Sequence, residues 1–171
     1  MRDDLSIRRA LPEDADFLLE LLTGEETRPF LSGRAPDTRE SVLEEIARSE
    51  REPEAFGRFV IELGGEPVGA VGFHRLNEPH GIVESERFAI HPSVRGRGIG
   101  LAAARLVQRH LLLELGFHRI ELQVYGFNER AIAHAERSGY VREGVKRRAY
   151  LRHGEWQDAV LFGLLREELE P

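Results

Sequence analysis

At 171 residues the chain suits one domain, spanning 1–171, with one sizeable core. Hydrophobic residues are 41% and charged residues 32%; no apolar run nears the ~20 residues that span a bilayer and no signal-peptide-like stretch follows Met1, so a cytoplasmic protein without membrane contact is expected. The absence of cysteine excludes disulfides, thiolate metal sites and cysteine nucleophiles, no metal is expected, and a net charge of −6 disfavours nucleic acid while suiting a cationic partner such as an amine.

In chain order, Leu5 to Arg8 reads as a short strand. Pro12 opens a helix with Glu13 and Asp14 at its positive end, and Ala15, Leu18, Leu21 and Leu22 give it an apolar stripe. Gly24 to Pro36, with Gly24, Pro29, Gly33 and Pro36, is a loop. A second helix follows Asp37-Thr38, turning Val42, Leu43, Ile46 and Ala47 inward. Strands at Arg58 to Leu63 and Val68 to Leu76 flank the hairpin signal Gly64-Gly65, and Ile82 to Ile90 is a third strand. Leu101, Ala104, Val107, Leu111 and Leu115 recur at helical spacing up to Gly116, a C′ glycine. Arg119 to Tyr125 alternates as a strand, Asn128 is an N-cap for a short helix, and Tyr140 to Arg152 with Glu155 to Leu165 forms a last hairpin across His153-Gly154. The order β-α-α-β-β-β-α-β-α-β-β predicts an α/β mixed sheet with helices on both faces.

Between the third of these strands and its helix lies Arg95-Gly96-Arg97-Gly98-Ile99-Gly100. Such a turn leaves backbone N–H groups uncovered beside the positive end of a helix, which makes a seat for phosphate. A Walker loop needs a lysine that this segment lacks. A dinucleotide fingerprint needs a small third residue where Leu101 stands, although Glu121 lies near the place of an acidic ribose ligand. A tight turn with no ligand is the remaining plain reading.

Arg95-x-x-Gly98-x-Gly100, after the strand and His91-Pro92-Ser93-Val94, resembles the acyl-CoA signature of the GNAT N-acetyltransferase superfamily. Asn128-x-x-Ala131-Ile132-x6-Gly139-Tyr140 resembles that superfamily's second motif. Gly139-Tyr140-x-x-Glu143-Gly144 and Gly154-Glu155-Trp156-Gln157-Asp158 are similar to the RimJ/RimL-type branch, which acetylates ribosomal-protein N-termini. The resemblance runs from about Ser6 to Leu165. It implies a mixed, mostly antiparallel sheet and acetyl-CoA as cosubstrate. It also implies an amine acceptor: a protein or peptide α-amine, or a polyamine, amino sugar or amino acid. A monomer or homodimer is expected.

The resemblance assigns the N–H groups from Arg95 to Gly100 to the CoA pyrophosphate, with Arg95 or Arg97 free to pair with a phosphate. It gives the backbone of Phe88, Ala89 and Ile90 to the pantetheine arm, with Asn128 in reach. An ammonium acceptor must lose a proton, and Glu84 and Glu86 lead into the loop on the same nominal face as Phe88 and Ile90. Glu84 matches a family general base without gaps; a bulge would make Glu86 the inward acid. His74 is a structural neighbour. The tyrosine that many relatives use as acid is here Ala135, which leaves that role open, with Ser138 and Tyr140 close in sequence. The loop from Gly24 to Pro36 and the hairpin around Trp156 are the expected acceptor segments. A non-catalytic acyl-CoA-binding module is the rival reading.

Overall fold

The computed structural model describes residues 4–31 and 35–169. Gly33 of the expected loop, Met1 and Pro171 lie outside the described residues. The elements follow the predicted order: β1 (Leu5–Arg9), α1 (Ala15–Thr23), α2 (Arg39–Arg51), β2 (Phe56–Leu63), β3 (Glu66–Asn77), β4 (Ile82–Ile90), α3 (Ile99–Arg109), β5 (Arg119–Tyr125), α4 (Glu129–Arg137), β6 (Val141–Arg152) and β7 (Glu155–Leu165). The strands form one seven-stranded sheet in the order β1-β2-β3-β4-β5-β7-β6. Every neighbouring pair is antiparallel except β4 and β5.

Local chemistry sets the helix ends. Asp14, buried before α1, accepts from Arg8 at 2.7 and 2.9 Å and from the Leu11 N–H at 2.7 Å. Thr38 caps α2 by accepting from the Ser41 N–H at 3.1 Å. Asn128 caps α4 through Oδ1, which accepts from the Ala131 N–H at 3.1 Å. Helix α3 begins at Ile99, two residues before the expected Leu101, because Gly98 takes φ +76° and turns the chain directly into the first helical turn. Its continuation, His110–Glu114, is π-helical rather than the uninterrupted α-helix that the Leu111 and Leu115 spacing predicts.

The sheet has two covered faces. Leu18, Leu21, Val42 and Ile46 of α1 and α2 pack on Val60, Ala70 and Ala89. On the other face Val107, Leu111 and Ala135 pack with Phe59, Phe73, Val83, Ile120 and Phe162. Burying each such large side chain contributes about 1.5–3 kcal/mol, so this layering fixes which face of each strand is inward.

Strand β4 breaks its own alternation. Gly72 pairs with Glu86 and Ala70 with Ala89, so Val71 faces the two residues Arg87 and Phe88. Arg87, at φ +55°, is a β-bulge. The expectation that Glu84 and Glu86 share a face with Phe88 and Ile90 is therefore corrected. Glu86 joins Arg58 and α2, whereas Phe88 packs among the α3 and α4 clusters. The extra residue inverts the phase of the strand between them.

Candidate active site

The parallel ladder of β4 and β5 lasts three pairs, Ile82–Arg119, Val83–Ile120 and Glu84–Glu121. Beyond it both strands run on, to Ile90 and Tyr125, without pairing to each other among the described residues. Ala89 and Ile90 remain bonded on their other side to β3. A split thus opens in the sheet, with backbone groups of Phe88, Ala89 and Ile90 along one wall and Asn128 beyond the end of the other. An extended polar arm can enter such a split as an added strand would.

The glycine turn closes one end of the split. Gly96 and Gly98 have φ +75° and +76°, and a Cβ on either would meet nothing within 4 Å. The N–H groups of Gly96, Arg97 and Gly98 have no backbone partner among the described residues. Those of Ile99 and Gly100 open α3, where intrahelical acceptors are missing. This is open space faced by donors and a positive helix end, which suits a pyrophosphate. Gly100 differs from the other two glycines: its φ is not left-handed, and a Cβ there would make ordinary contacts of 3.5 Å to His134 and 3.8 Å to Ile90.

Arg95 stands apart from the seat. Its N–H already donates to Pro92 O at 3.3 Å. Its side chain donates from Nε to Ile90 O at 2.8 Å and from Nη2 to Thr27 Oγ1 at 3.4 Å, with Glu26 3.7 Å from Nη1. The side chain therefore fastens the end of β4 to the segment after α1 rather than facing a phosphate. Arg97 is exposed beside the turn and Ile99 is buried in the core.

The two carboxylates of β4 differ in surroundings. Glu86 lies 2.8 Å from Arg58 Nη2, and Arg58 Nε in turn pairs with Glu45 at 2.9 Å. Burial works against the Glu86 anion, but the hydrogen bond to His74 and the charges of Arg58 and Arg87 win, holding its pKa at about 2. Glu84 sits at the last β4–β5 pair, 3.7 Å from His74 Nε2. Desolvation raises its pKa above the ordinary value, and the His74 charge offsets this only in part. His74, opposite Glu84 on β3, is raised by its hydrogen bond to Glu86. Glu86, His74 and Arg58 also line an open depression of about 800 Å³ beside α2.

The two expected acceptor segments meet. Arg152 Nη2 donates to Arg28 O at 2.5 Å, and His153 Nε2 lies 3.3 Å from Pro29 O. The hairpin tip thus lies across the segment after α1. Beneath this junction Tyr125 and Phe127 stack with centroids 5.1 Å apart, and Phe30 lies 6.3 Å from Phe127. Trp156 is 55% exposed opposite Leu151 on the hairpin and does not serve as a core residue.

Of the residues near the vacant tyrosine position, Ala135 is core, and the Ser138 hydroxyl donates to His134 O at 2.7 Å. Tyr140 is buried, hydrogen-bonded to Gln108 and pushed above the usual phenol range by burial. None of the three faces the split. His134 was not singled out by the sequence, and its ring stacks on Phe88 at 5.3 Å. Its one available signal is its place beside Ala135. Among the described residues no group of three His, Asp or Glu is gathered as for a metal ion.

A sheet parted between two parallel strands, with a phosphate seat at the head of the gap, defines an acyl-CoA-dependent transferase. The chain belongs to the acetyltransferase (GNAT) family, whose model matches residues 16–140. It is an N-acetyltransferase that takes its acetyl group from acetyl-CoA. It is 29% identical over 103 residues to the spermidine N(1)-acetyltransferase of Escherichia coli K12, covering 60% of this chain and 55% of that protein. It is 27% identical to the putative ribosomal N-acetyltransferase YdaF of Bacillus subtilis, covering 99% of this chain and 96% of that one. The fold matches the spermidine N-acetyltransferase of Vibrio cholerae solved with CoA and spermine. The TM-score is 0.86 at 23% identity, over 97% of this chain and 98% of that one.

Proposed function

We propose that the chain acetylates a primary amine of a small polyamine, with Glu84 as the base. The observation that carries this is the position of Glu84: a desolvated carboxylate with no arginine partner among the described residues, at the point where β4 and β5 part. A lysine-like ammonium has a reference pKa near ~10.4, so it needs a proton acceptor of raised basicity. Glu86 is too firmly held as an anion by Arg58 to serve as well. The polyamine is supported by the net charge of −6, by exposed Glu25 and Glu26 beside the junction, and by the ring faces of Phe30 and Phe127, which suit a cation. The similarity to a spermidine acetyltransferase points the same way.

Bound at the turn and along β4, acetyl-CoA supplies an activated thioester. The chain's backbone N–H groups from Gly96 to Gly100 hold the pyrophosphate, and Phe88 to Ile90 with Asn128 orient the arm. Glu84 takes the proton from the attacking nitrogen, directly or through one water. The new bond joins that nitrogen to the acetyl carbon, the carbon–sulfur bond breaks, and the thiolate leaves without a dedicated tyrosine.

A second reading, an α-amine of a protein as in the RimJ/RimL-type branch, has its own support. Arg142, Lys146, Arg147 and Arg148 are exposed along the edge strand β6, which suits an acidic peptide, and the likeness to YdaF spans nearly the whole chain. One acetyl-CoA consumption assay separates the two. Spermidine, spermine and N-terminal peptides are offered in parallel, and mass spectrometry locates the acetyl group. Turnover of peptides with inert polyamines would overturn the first reading. CoA binding with no turnover of any amine would instead indicate a binding module.

A further inference from the structure

His134 lies on α4 directly before Ala135, and its imidazole is placed by three elements. The ring stacks on Phe88 of β4 with centroids 5.3 Å apart and an interplanar angle of 30°. Its Cε1 and Nδ1 lie 3.5 and 3.9 Å from where a Cβ on Gly100 of α3 would stand, and Ile90 Cγ1 is 3.8 Å from that same point. The ring is half-buried, yet neither of its nitrogens has a hydrogen-bond partner among the described residues. Neither ring nitrogen is sealed from solvent, so a ligand can reach and use the imidazole.

Its position along β4 decides which ligand atoms are in reach. A strand rises about 3.3 Å per residue, and the register with β3 puts Phe88 and Ile90 on the order of 10–17 Å beyond Glu84 once the bulge is discounted. His134 therefore stands at the glycine-turn end of the split, away from the acids. There the positive end of α3 meets the charges of Arg130 and Arg137, and all three favour an anion. We propose that His134 is a cofactor-binding residue that donates a ring N–H to the phosphate at the head of the pantetheine arm of acetyl-CoA. Gly100 serves this contact by leaving the gap between α3 and the imidazole clear.

The test compares two acetyl donors, acetyl-CoA and acetyl-pantetheine, which lacks the phosphates. His134→Phe keeps a ring on Phe88 but removes the donor. It is expected to lower kcat/KM for acetyl-CoA about tenfold and to leave that for acetyl-pantetheine unchanged. H134Q, which restores an N–H donor, recovers most of the loss and provides the second variant if the phenylalanine form folds poorly. Wild-type kinetics of H134F with acetyl-CoA overturn the proposal. So does an equal loss with both donors, which assigns His134 to packing alone. Failure of the unsubstituted chain to use acetyl-CoA would overturn the cofactor assignment itself, and this contact with it.

Discussion

The Glu86 carboxylate lies 2.8 Å from Arg58 Nη2, whereas Glu84, two residues earlier on the same face, has no arginine beside it among the described residues. That difference is the ground on which Glu84 rather than Glu86 is proposed as the base, although the two look equivalent in sequence. Glu84→Gln is expected to lower kcat about a hundredfold or more, and Glu86→Gln far less. The acid limb of the kcat/KM profile should lie above the ordinary carboxylate value of 4.5, with activity falling as pH drops through it. A profile unchanged by Glu84→Gln would remove Glu84 from the mechanism.

The same two acids act oppositely on stability. Glu86 is depressed to about 2 from 4.5, so its contribution is present above pH 4.5 and is lost as pH falls toward 2. A shift of that size corresponds to about 3 kcal/mol, an order-of-magnitude figure. Glu84 is raised, so its anion is a liability to the fold at neutral pH. Thermal melts at pH 7 should show Glu86→Gln less stable and Glu84→Gln more stable than the parent. The advantage of Glu84→Gln disappears as pH falls below the ordinary carboxylate value, where the parent's Glu84 is neutral as well.

Arg95 binds the end of β4 to Thr27, and the hairpin tip binds Arg28 and Pro29. Arg95→Ala should therefore raise KM for the amine as well as for acetyl-CoA. Arg152→Ala should raise only the amine KM, several-fold, with acetyl-CoA affinity retained. Initial-rate kinetics with each substrate varied in turn distinguish these patterns; an Arg95→Ala effect confined to acetyl-CoA would contradict the link.

Gly98 and Gly100 should respond differently to alanine. Gly98→Ala forces a side chain into left-handed backbone and costs about 1–2 kcal/mol, with a raised KM for acetyl-CoA. Gly100→Ala has room for its Cβ and a helical φ, so its melting temperature should hold or rise while KM alone increases. Melting curves beside KM values check both.

Much of this was legible in the chain because periodicity and turn residues report local structure. Gly96 and Gly98 announce a left-handed turn, Asn128 announces a cap, and apolar spacing announces each helix. Arg87 announces nothing: an arginine at φ +55° has no sequence signature, so plain alternation puts Glu86 and Phe88 on one face where the fold has them on two. The destination of the Arg95 side chain depends on Thr27, 68 residues away. His134 became visible only when α4, β4 and α3 met around it. Long-range contacts of this kind are set by packing, which local patterns do not encode.

Arg87 has a further consequence for the backbone. Besides setting Phe88 on the opposite face from Glu86, the inserted residue changes the course of the strand. A bulge increases local twist, and this one lies just past the last β4–β5 pair, where such a bend would turn β4 away from its neighbour. Excising this single residue should let the two strands zip onward, healing the seam into continuous sheet. The protein would gain ladder bonds and lose the gap proposed to receive the pantetheine arm.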